Sequence, residues 1–522
     1  MAATGKTGNL SLVLSSLVLL VLLMITPLTW SQMQKRPNIV VLFADDLGYG
    51  DLPTYGHPTS SAPHLERLAQ EGMVFTQFYS SSPVCSPSRA ALLTGRYQVR
   101  SGVWPGVFWA DSTGGLPLNE TTIAEVLKTQ GYDTAIIGKW HLGVGVNQTY
   151  LPTNHGFDYY YGVPYSHDMC PCPVCFWPNV PCGLNDNCGS QWTGCPVYEN
   201  DRIVEQPADL LTLSSRYVKQ ASRFIQTSAD RGNPFFLYLA FQHTHHPQFA
   251  GVEFTNTSAR GKFGDALLEL DWAVGEVLST LQQAMVQDNT LVFFTSDNGP
   301  SLRNEQRGGN AGLLKCGKGT TYEGGQRVPA IARWPGVISA HSRTTQLAST
   351  LDLFPTLAKL AGAPLPSGVI LDGVDMMPIL QNKQGSRDLF FYYPTSPDPQ
   401  YGLYAVRYKQ YKAHYYTQGQ VNSNPNNHDP DCRPSAQRTR HDPPLLFNLN
   451  NDPSEQFNLG NMSQYQQLLK TIDTKKVEFE KTVVWGESEI AKHSSPDAEP
   501  CYNRGCQPFP LGCCHTPQWW WP

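Results

Sequence analysis

The sequence predicts an α/β protein: a large, mostly parallel central sheet covered by helices, followed by a smaller antiparallel sheet. Three observations carry this expectation. Unbroken apolar runs recur through the first 380 or so residues. Amphipathic stretches separate them, which is the alternation of a helix-covered parallel sheet. After about residue 380 the runs give way to short segments of alternating aromatic and polar residues, the pattern of half-exposed antiparallel strands.

The four clearest strands are residues 38–44 (NIVVLFA), 134–138 (TAIIG), 234–241 (PFFLYLAF) and 290–295 (TLVFFT). None alternates apolar with polar, so each is expected to be buried on both faces. Helices are expected over 64–71, 122–130, 210–229 and 264–283, where apolar residues recur at helical spacing. The second sheet is read from 389–393, 402–407, 411–417 and 445–449, and a helix over 463–484 packs beside it. Residues 418–444, rich in Asn, Asp and Pro, read as a loop, and the Trp519-Trp520-Trp521 tail as packing or unstructured chain. The expected organisation is a leader over 1–32, a large domain over 33–380 and a smaller domain over 381–522.

The leader has a positive flank at Lys6 and an apolar block over 10–30, the form of a secretory signal peptide, with an uncleaved anchor as the alternative. Thirteen cysteines in an exported chain point to an oxidising compartment. Cys170, Cys172, Cys175, Cys182, Cys188 and Cys195 crowd one loop, and Cys501, Cys506, Cys513 and Cys514 the C-terminal end. Disulfides outrank zinc for such clusters in a secreted chain. Cys316 and Cys432 remain and would form a long-range pair. Sequons at Asn119, Asn147, Asn256 and Asn461 are consistent with glycosylation on the same route. The net charge of -5 offers no basic patch for nucleic acid.

Each apolar strand runs directly into polar residues: Asp45-Asp46, then Lys139-Trp140-His141, then His243-Thr244-His245, then Asp297-Asn298. Ligands of open α/β sheets bind beyond the carboxyl ends of the strands, so these groups are expected to converge. Asp45, Asp46, Asp297 and Asn298 form a hard oxygen set suited to calcium or magnesium, which would relieve their repulsion. Taken singly they could equally be turn and cap residues. Arg89, Lys139, His141, His245 and Lys318 form a cationic set able to hold an anion. Lys318 lies in the glycine-rich run CGKGTTYEGG, where close backbone approach is easy. The aromatic residues between Trp104 and Trp109 either line an apolar pocket or belong to the core.

The run Cys85-Ser86-Pro87-Ser88-Arg89, with Thr94-Gly95-Arg96 after it, resembles the signature of the type I sulfatases. Residues 43–51, 138–145, 164–168, 243–249 and 316–325 resemble further segments of the arylsulfatase branch, so that the likeness spans nearly the whole mature chain. It implies an alkaline-phosphatase-like fold. It also implies that Cys85 is oxidised to formylglycine (3-oxoalanine) by a formylglycine-generating enzyme. Asp45, Asp46, Asp297, Asn298 and modified Cys85 would then bind one Ca2+, with Mg2+ as the alternative. Arg89 would position the formylglycine, Lys139, Ser166, His245 and Lys318 would contact sulfate, and His141 would serve the hydrated aldehyde. One hydroxyl of the hydrate would attack sulfur, and loss of the proton on the other would expel sulfate. The six-cysteine loop departs from the family pattern, which leaves its pairing open.

The resemblance further implies a sulfated glycolipid such as cerebroside 3-sulfate, or an aryl sulfate, as substrate, in a lysosomal or secreted enzyme compatible with homo-oligomers. A glycosaminoglycan sulfatase and a catalytically silent glycoprotein are the alternatives. A phosphatase on the same fold would use Ser or Thr with two metals, unlike this chain.

Overall fold

The computed structural model describes residues 1–2, 36–169, 195–206, 208–423 and 429–500. The leader, most of the six-cysteine loop, the C-terminal cysteine group and the tryptophan tail lie outside the described residues.

Strands β1 (Asn38–Ala44), β2 (Met73–Tyr79), β3 (Asp133–Gly138), β4 (Tyr159–Gly162), β5 (Val197–Glu199), β6 (Arg202–Glu205), β7 (Phe235–Ala240), β8 (Thr290–Ser296), β9 (Arg327–Arg333), β10 (Ser342–Thr344) and β11 (Ala348–Ser349) form one sheet. Its order is β10-β2-β9-β8-β1-β7-β3-β4-β5-β6, with β11 also on β2. The four apolar runs are the central neighbours β8, β1, β7 and β3, all mutually parallel. Every residue of β1, β7 and β8 is buried, which is why these strands carry no alternation. Each buried Val, Leu, Ile or Phe there contributes about 1.5–3 kcal/mol relative to exposure.

Helices Leu210–Arg231 and Gly261–Gln283 pack on one another. The first starts where the Asp209 side chain accepts from Leu211 N and stops at Gly232, at φ 73°. Thr122 and Glu125 form a capping box on Ile123–Lys128. The expected helices are thus present, with ends shifted by a few residues.

Strands β12 (Leu389–Tyr392), β13 (Ala405–Tyr408), β14 (Tyr411–Thr417) and β15 (Thr439–Asn448) form the antiparallel second sheet in that order. Helix Gln466–Glu480 covers it, with Phe479 stacked on Phe391 at 3.7 Å. The core of this sheet is continuous with Tyr79, Ala91, Tyr97 and Val99 of the first part.

Three expectations need correction. The loop expected over 418–444 ends early, because 439–444 already belong to β15. Pro443 and Pro444 are tolerated there because β15 is an edge strand, which can forgo ladder donors. The strand expected from residue 402 begins at Ala405, since Gly402 has φ 65° and breaks the pleat. The last helix is shorter than 463–484: its first turn, Ser463–Tyr465, is 3-10 and it ends at Glu480. Strands β2 and β9 and the helix Cys85–Thr94 are elements that the apolar pattern did not reveal.

Cys316 and Cys432 are joined, with Cα atoms 5.4 Å apart, and Cys195 is also disulfide-bonded. Asn119, Asn147, Asn256 and Asn461 are all exposed. Among the described residues no helix is long and apolar enough to cross a membrane.

Candidate active site

The parallel register brings the strand ends level: Phe43 and Gly138 both pair with Ala240, and Ala44 pairs with Ser296. Hydrogen bonds continue past the strands, from Asp45 N to the His243 carbonyl (2.8 Å), Asp297 N to the Ala44 carbonyl (3.1 Å) and Lys139 N to the Ala240 carbonyl (2.7 Å). Gly138 is required there, since φ is 113° and a Cβ would lie 1.8 Å from the Ala240 oxygen. Asp46 and His141 take left-handed backbone at φ 56°, a strained choice that turns both side chains sharply after their strands.

Cys85 is the first residue of helix Cys85–Thr94 and is 2 % exposed. The preceding Val84 has no side-chain cap, so the free N–H groups of the first turn favour an anion beside Cys85. One turn on, Arg89 lies on the same helix face. Its Nη2 donates to Asp297 Oδ2 at 2.7 Å and lies 3.3 Å from Asp45 Oδ1. Lys139 Nζ donates to Asp45 Oδ2 (2.6 Å) and Ser166 Oγ (3.3 Å). Lys318 Nζ lies 2.7 Å from Asp46 Oδ1 and 3.5 Å from Cys85 Sγ. His245 Nε2 stands 3.6 Å from Asp46 Oδ2.

The oxygen set converges too. Asp46 N donates to Asp297 Oδ1 at 3.1 Å, and Asn298 Nδ2 to Asp46 Oδ1 at 2.7 Å. Asn298 Oδ1 is buried without a hydrogen-bond partner among the described residues. A buried carbonyl oxygen left unsatisfied beside three carboxylates fits a hard cation. Ligand atoms of Asp45, Asp46, Cys85 and His245 all lie within 4.8 Å of one another.

Electrostatics separate the roles. Burial would raise the Asp45 carboxyl, but Lys139, Arg89 and Lys318 together hold it well below the usual carboxylate range. Burial raises Asp46 against the pull of Lys318, and burial with Asp45 raises Asp297 to about 6. Burial pushes the Cys85 thiol well up despite the nearby lysines. An unmodified Cys85 is therefore a protonated thiol, a poor nucleophile.

The histidines are held neutral, His141 by burial, Lys139 and Arg89, and His245 by burial and Lys318. His141 Nε2 is 3.0 Å from the Phe108 carbonyl, which can only accept, so the proton sits on Nε2. Nδ1 is then a bare lone pair, buried and unpartnered among the described residues. His245 Nδ1 likewise donates to the His246 carbonyl.

A cavity of about 220 Å³ opens over Cys85, lined by Asp46, His141, Ser166, His245 and Lys318. Val107, Trp109 and Met169, and the polar Arg303, Thr395 and Asn422, also line it. Of the aromatic residues at 104–109, Trp109 lines the cavity, Phe108 is core and Trp104 packs on Trp485 at 5.2 Å.

Every expected site residue thus reaches one locus. Sequence reasoning missed His167, whose ring is 5.5 Å from that of His245, although it stands beside Ser166. It also missed Thr395 and Asn422, which carry no local signal and come from the second sheet's segments. His243, bound to Glu269 Oε2 at 2.8 Å, is structural.

A site that sets fixed positive charges and hard-cation ligands around one attacking atom is built to displace an alcohol from a tetrahedral oxyanion. That defines an ester hydrolase of the sulfuryl or phosphoryl class. The sequence matches the Sulfatase family over residues 37–363 and the C-terminal region of aryl-sulfatase over 385–515. It is 48% identical to arylsulfatase A of Homo sapiens over 491 residues, covering 92% of this chain and 96% of that protein. Arylsulfatase G of Homo sapiens is 38% identical, with 92% and 93% covered. The fold superposes on the PsFucS1 sulfatase of Pseudoalteromonas sp. with a TM-score of 0.73 at 28% identity, covering 87% and 93% of the two chains. The chain belongs to the sulfatase family and is a sulfuric ester hydrolase.

Proposed function

We propose that the protein hydrolyses the sulfate ester of a sulfated glycolipid of the cerebroside 3-sulfate kind, and aryl sulfates alike, after Cys85 becomes formylglycine. The observation that carries the mechanism is a protonated thiol and a bare, buried His141 Nδ1 lining one cavity without being paired with each other. The thiol is directed at Asp45 Oδ1, 3.6 Å away, which leaves His141 Nδ1 without a proton to take, whereas a hydrated aldehyde offers it a hydroxyl. The modified side chain supplies two geminal hydroxyls, one to take the sulfuryl group and one to release it.

In this reading Arg89 holds the hydrate beside Asp45 and Asp297, and His141 Nδ1 takes the proton that lets sulfate leave. Lys139, Ser166 and Lys318 hold the sulfuryl oxygens, joined by His245 once its Nε2 takes up a proton as the sulfate anion enters. Lys318, whose ammonium is 3.5 Å from Cys85 Sγ, and protonated His245 stabilise the departing alcohol. Asp45, Asp46, Asp297, Asn298 and residue 85 would hold one Ca2+, or Mg2+, which when bound polarises the sulfuryl oxygens.

The cavity lining supports the substrate: Val107, Trp109 and Met169 suit an apolar aglycone, and Thr395, Asn422 and Arg303 suit sugar hydroxyls. The 48% identity to arylsulfatase A supports the same reading over a glycosaminoglycan substrate. The four exposed sequons support passage through the secretory pathway to the lysosome. We place the boundary between the catalytic and smaller domains at 380/381.

The test is mass spectrometry of the tryptic peptide 68–89 from a host that makes formylglycine, with turnover of cerebroside sulfate by the same sample. Conversion replaces one sulfur and two hydrogens with one oxygen. An intact thiol in a fully active enzyme refutes the mechanism; conversion with no glycolipid turnover refutes the substrate.

A further inference from the structure

The loop that carries Lys318 is anchored on the catalytic side, where Lys318 N donates to the Pro300 carbonyl and Gly319 N to the Pro83 carbonyl, both at 2.9 Å, and also on the side of the second sheet. On one flank Cys316 is bonded to Cys432. In the middle, Thr395 Oγ1 donates to the Gly319 carbonyl at 2.9 Å. On the other flank stands Glu323, fully buried although charged. Lys412 Nζ from β14 donates to Glu323 Oε1 at 3.0 Å and lies 3.0 Å from Glu455 Oε1. Glu455 Oε2 accepts from the Glu323 backbone N at 2.7 Å, and Glu455 Oε1 meets His414 Nε2 at 2.7 Å. Tyr79 and Tyr392 donate to the two Glu323 oxygens at 2.5 and 3.3 Å, and Arg327 Nη1 stands 3.5 Å away.

Charges with no exposure are costly to bury and persist only where their geometry is fixed by several partners. Hydrophobic residues would close the same interface with less penalty. What the ion cluster adds is a defined position for Glu323, five residues after Lys318. The loop is closed on itself on both sides of Lys318 and Glu323: Thr320 N and Oγ1 donate to the Gly317 carbonyl at 3.2 and 2.9 Å, and Gly324 N donates to the Lys315 carbonyl at 2.8 Å. Just past Glu323 there is no room to shift, since a Cβ on Gly324 would lie 2.1 Å from the Cys316 carbonyl oxygen. Displacement at Glu323 then moves the whole loop, Lys318 included.

We propose that Glu323, gripped by Lys412 and Glu455, is a positioning residue for Lys318, so that the antiparallel sheet is part of the catalytic apparatus. The proposal rests on the role given above to Lys318. Lys412 touches no substrate; it acts through Glu323 and the loop.

The experiment compares Lys412→Met, Glu323→Gln and Lys318→Ala in the full-length matured enzyme, with equal formylglycine content. Asp352→Asn, which breaks the buried Arg387–Asp352 pair away from this loop, is the comparator for stability alone. Lys412→Met and Glu323→Gln are expected to lower kcat about 10- to 100-fold, the scale of an ångström-sized misplacement, with KM for a small aryl sulfate nearly unchanged. Lys412→Arg restores most of the loss. In a Lys318→Ala background neither substitution should lower kcat further, because the effect passes through that lysine.

Full activity in Lys318→Ala would remove the role of Lys318 itself. Inactive Lys318→Ala with unchanged kcat in folded Lys412→Met would remove the positioning role alone. Additive losses in the double variants, or an equal fall in kcat for Asp352→Asn at matched Tm, would reduce the cluster to general stability. If Lys412→Met does not fold, Tyr392→Phe, which deletes one hydroxyl contact, carries the same comparison, and an unchanged kcat there overturns the proposal.

Discussion

Replacing Lys318 by alanine should cost catalysis far more than folding. The ammonium lies 3.5 Å from Cys85 Sγ, the atom that marks where the nucleophile stands. A unit charge at that distance, in an effective dielectric of about 20, interacts by at most ~5 kcal/mol with charge developing on the sulfuryl group or leaving oxygen. Measured losses of single oxyanion donors fall below such ceilings, so kcat is expected to drop about 10²–10³-fold. Because the interaction strengthens as charge develops, kcat and kcat/KM should fall together. Folding suffers less, since Asp46 keeps the Asn298 amide at 2.7 Å. The assay is steady-state hydrolysis of an aryl sulfate, with formylglycine content and Tm measured on the same preparation. A kcat within about threefold of the parent would refute the role of Lys318, since it lies below any reasonable value for a lost oxyanion contact.

Asp297→Asn should reduce bound divalent cation, read by elemental analysis, and leave Arg89 without its 2.7 Å partner; unchanged metal content counts against Asp297 as a ligand. Cys85→Ser should fold with a Tm near the parent's and lose multiple turnover, because a single hydroxyl cannot release sulfate; sustained turnover would sink the diol reading. His141→Ala should release a burst of alcohol equal to the enzyme and then turn over slowly, since the lost Nδ1 acts after alcohol departure; absence of a burst assigns His141 elsewhere. In chelated protein the Asp297 carboxyl titrates at about 6, above its ordinary 3.8. That group alone makes the folded state bind more protons than the unfolded between those values, whereas the buried neutral His141 and His245 act in the opposite sense over the same range, so it is stability relative to Asp297→Asn that should fall as pH rises from about 4 to about 6. Thermal unfolding of both proteins across that range tests the sign, and a rise of the parent relative to Asp297→Asn contradicts it.

The catalytic end was legible because its strands are buried on both faces and therefore continuous in sequence. Their order β8-β1-β7-β3 makes four separate strand ends neighbours, so Asp297, Asp45, His245 and Lys139 could be grouped from the sequence alone. β9 was hidden for the opposite reason: its run RVPAIAR opens and closes with arginine and contains Pro329, yet all seven residues are buried. The dependence of the Lys318 loop on the second sheet was hidden more deeply. Glu323, Lys412 and Glu455 are charged residues with at most 1 % exposure, and a charged residue in sequence reads as surface. Only contacts across 89 and 132 residues reveal that they meet.

The charge balance of the site explains why cation and substrate belong together. Three carboxylates, Asp45, Asp46 and Asp297, face three fixed cations, Lys139, Lys318 and Arg89, in a buried space. Each lysine that the reaction needs for sulfate is occupied by a carboxylate. In the proposed reading a divalent ion held by the oxygens, the bare Asn298 Oδ1 among them, would compete for the same lone pairs and would free Lys139 and Lys318 for sulfate. Cation and sulfate would then be thermodynamically linked through these carboxylates, and such linkage is reciprocal. Arg89, with no exposure, bridges Asp45 and Asp297 at 3.3 and 2.7 Å. Its charge holds the carboxylates together whichever ligand is present, which suits a residue that fixes the nucleophile rather than one that binds sulfate.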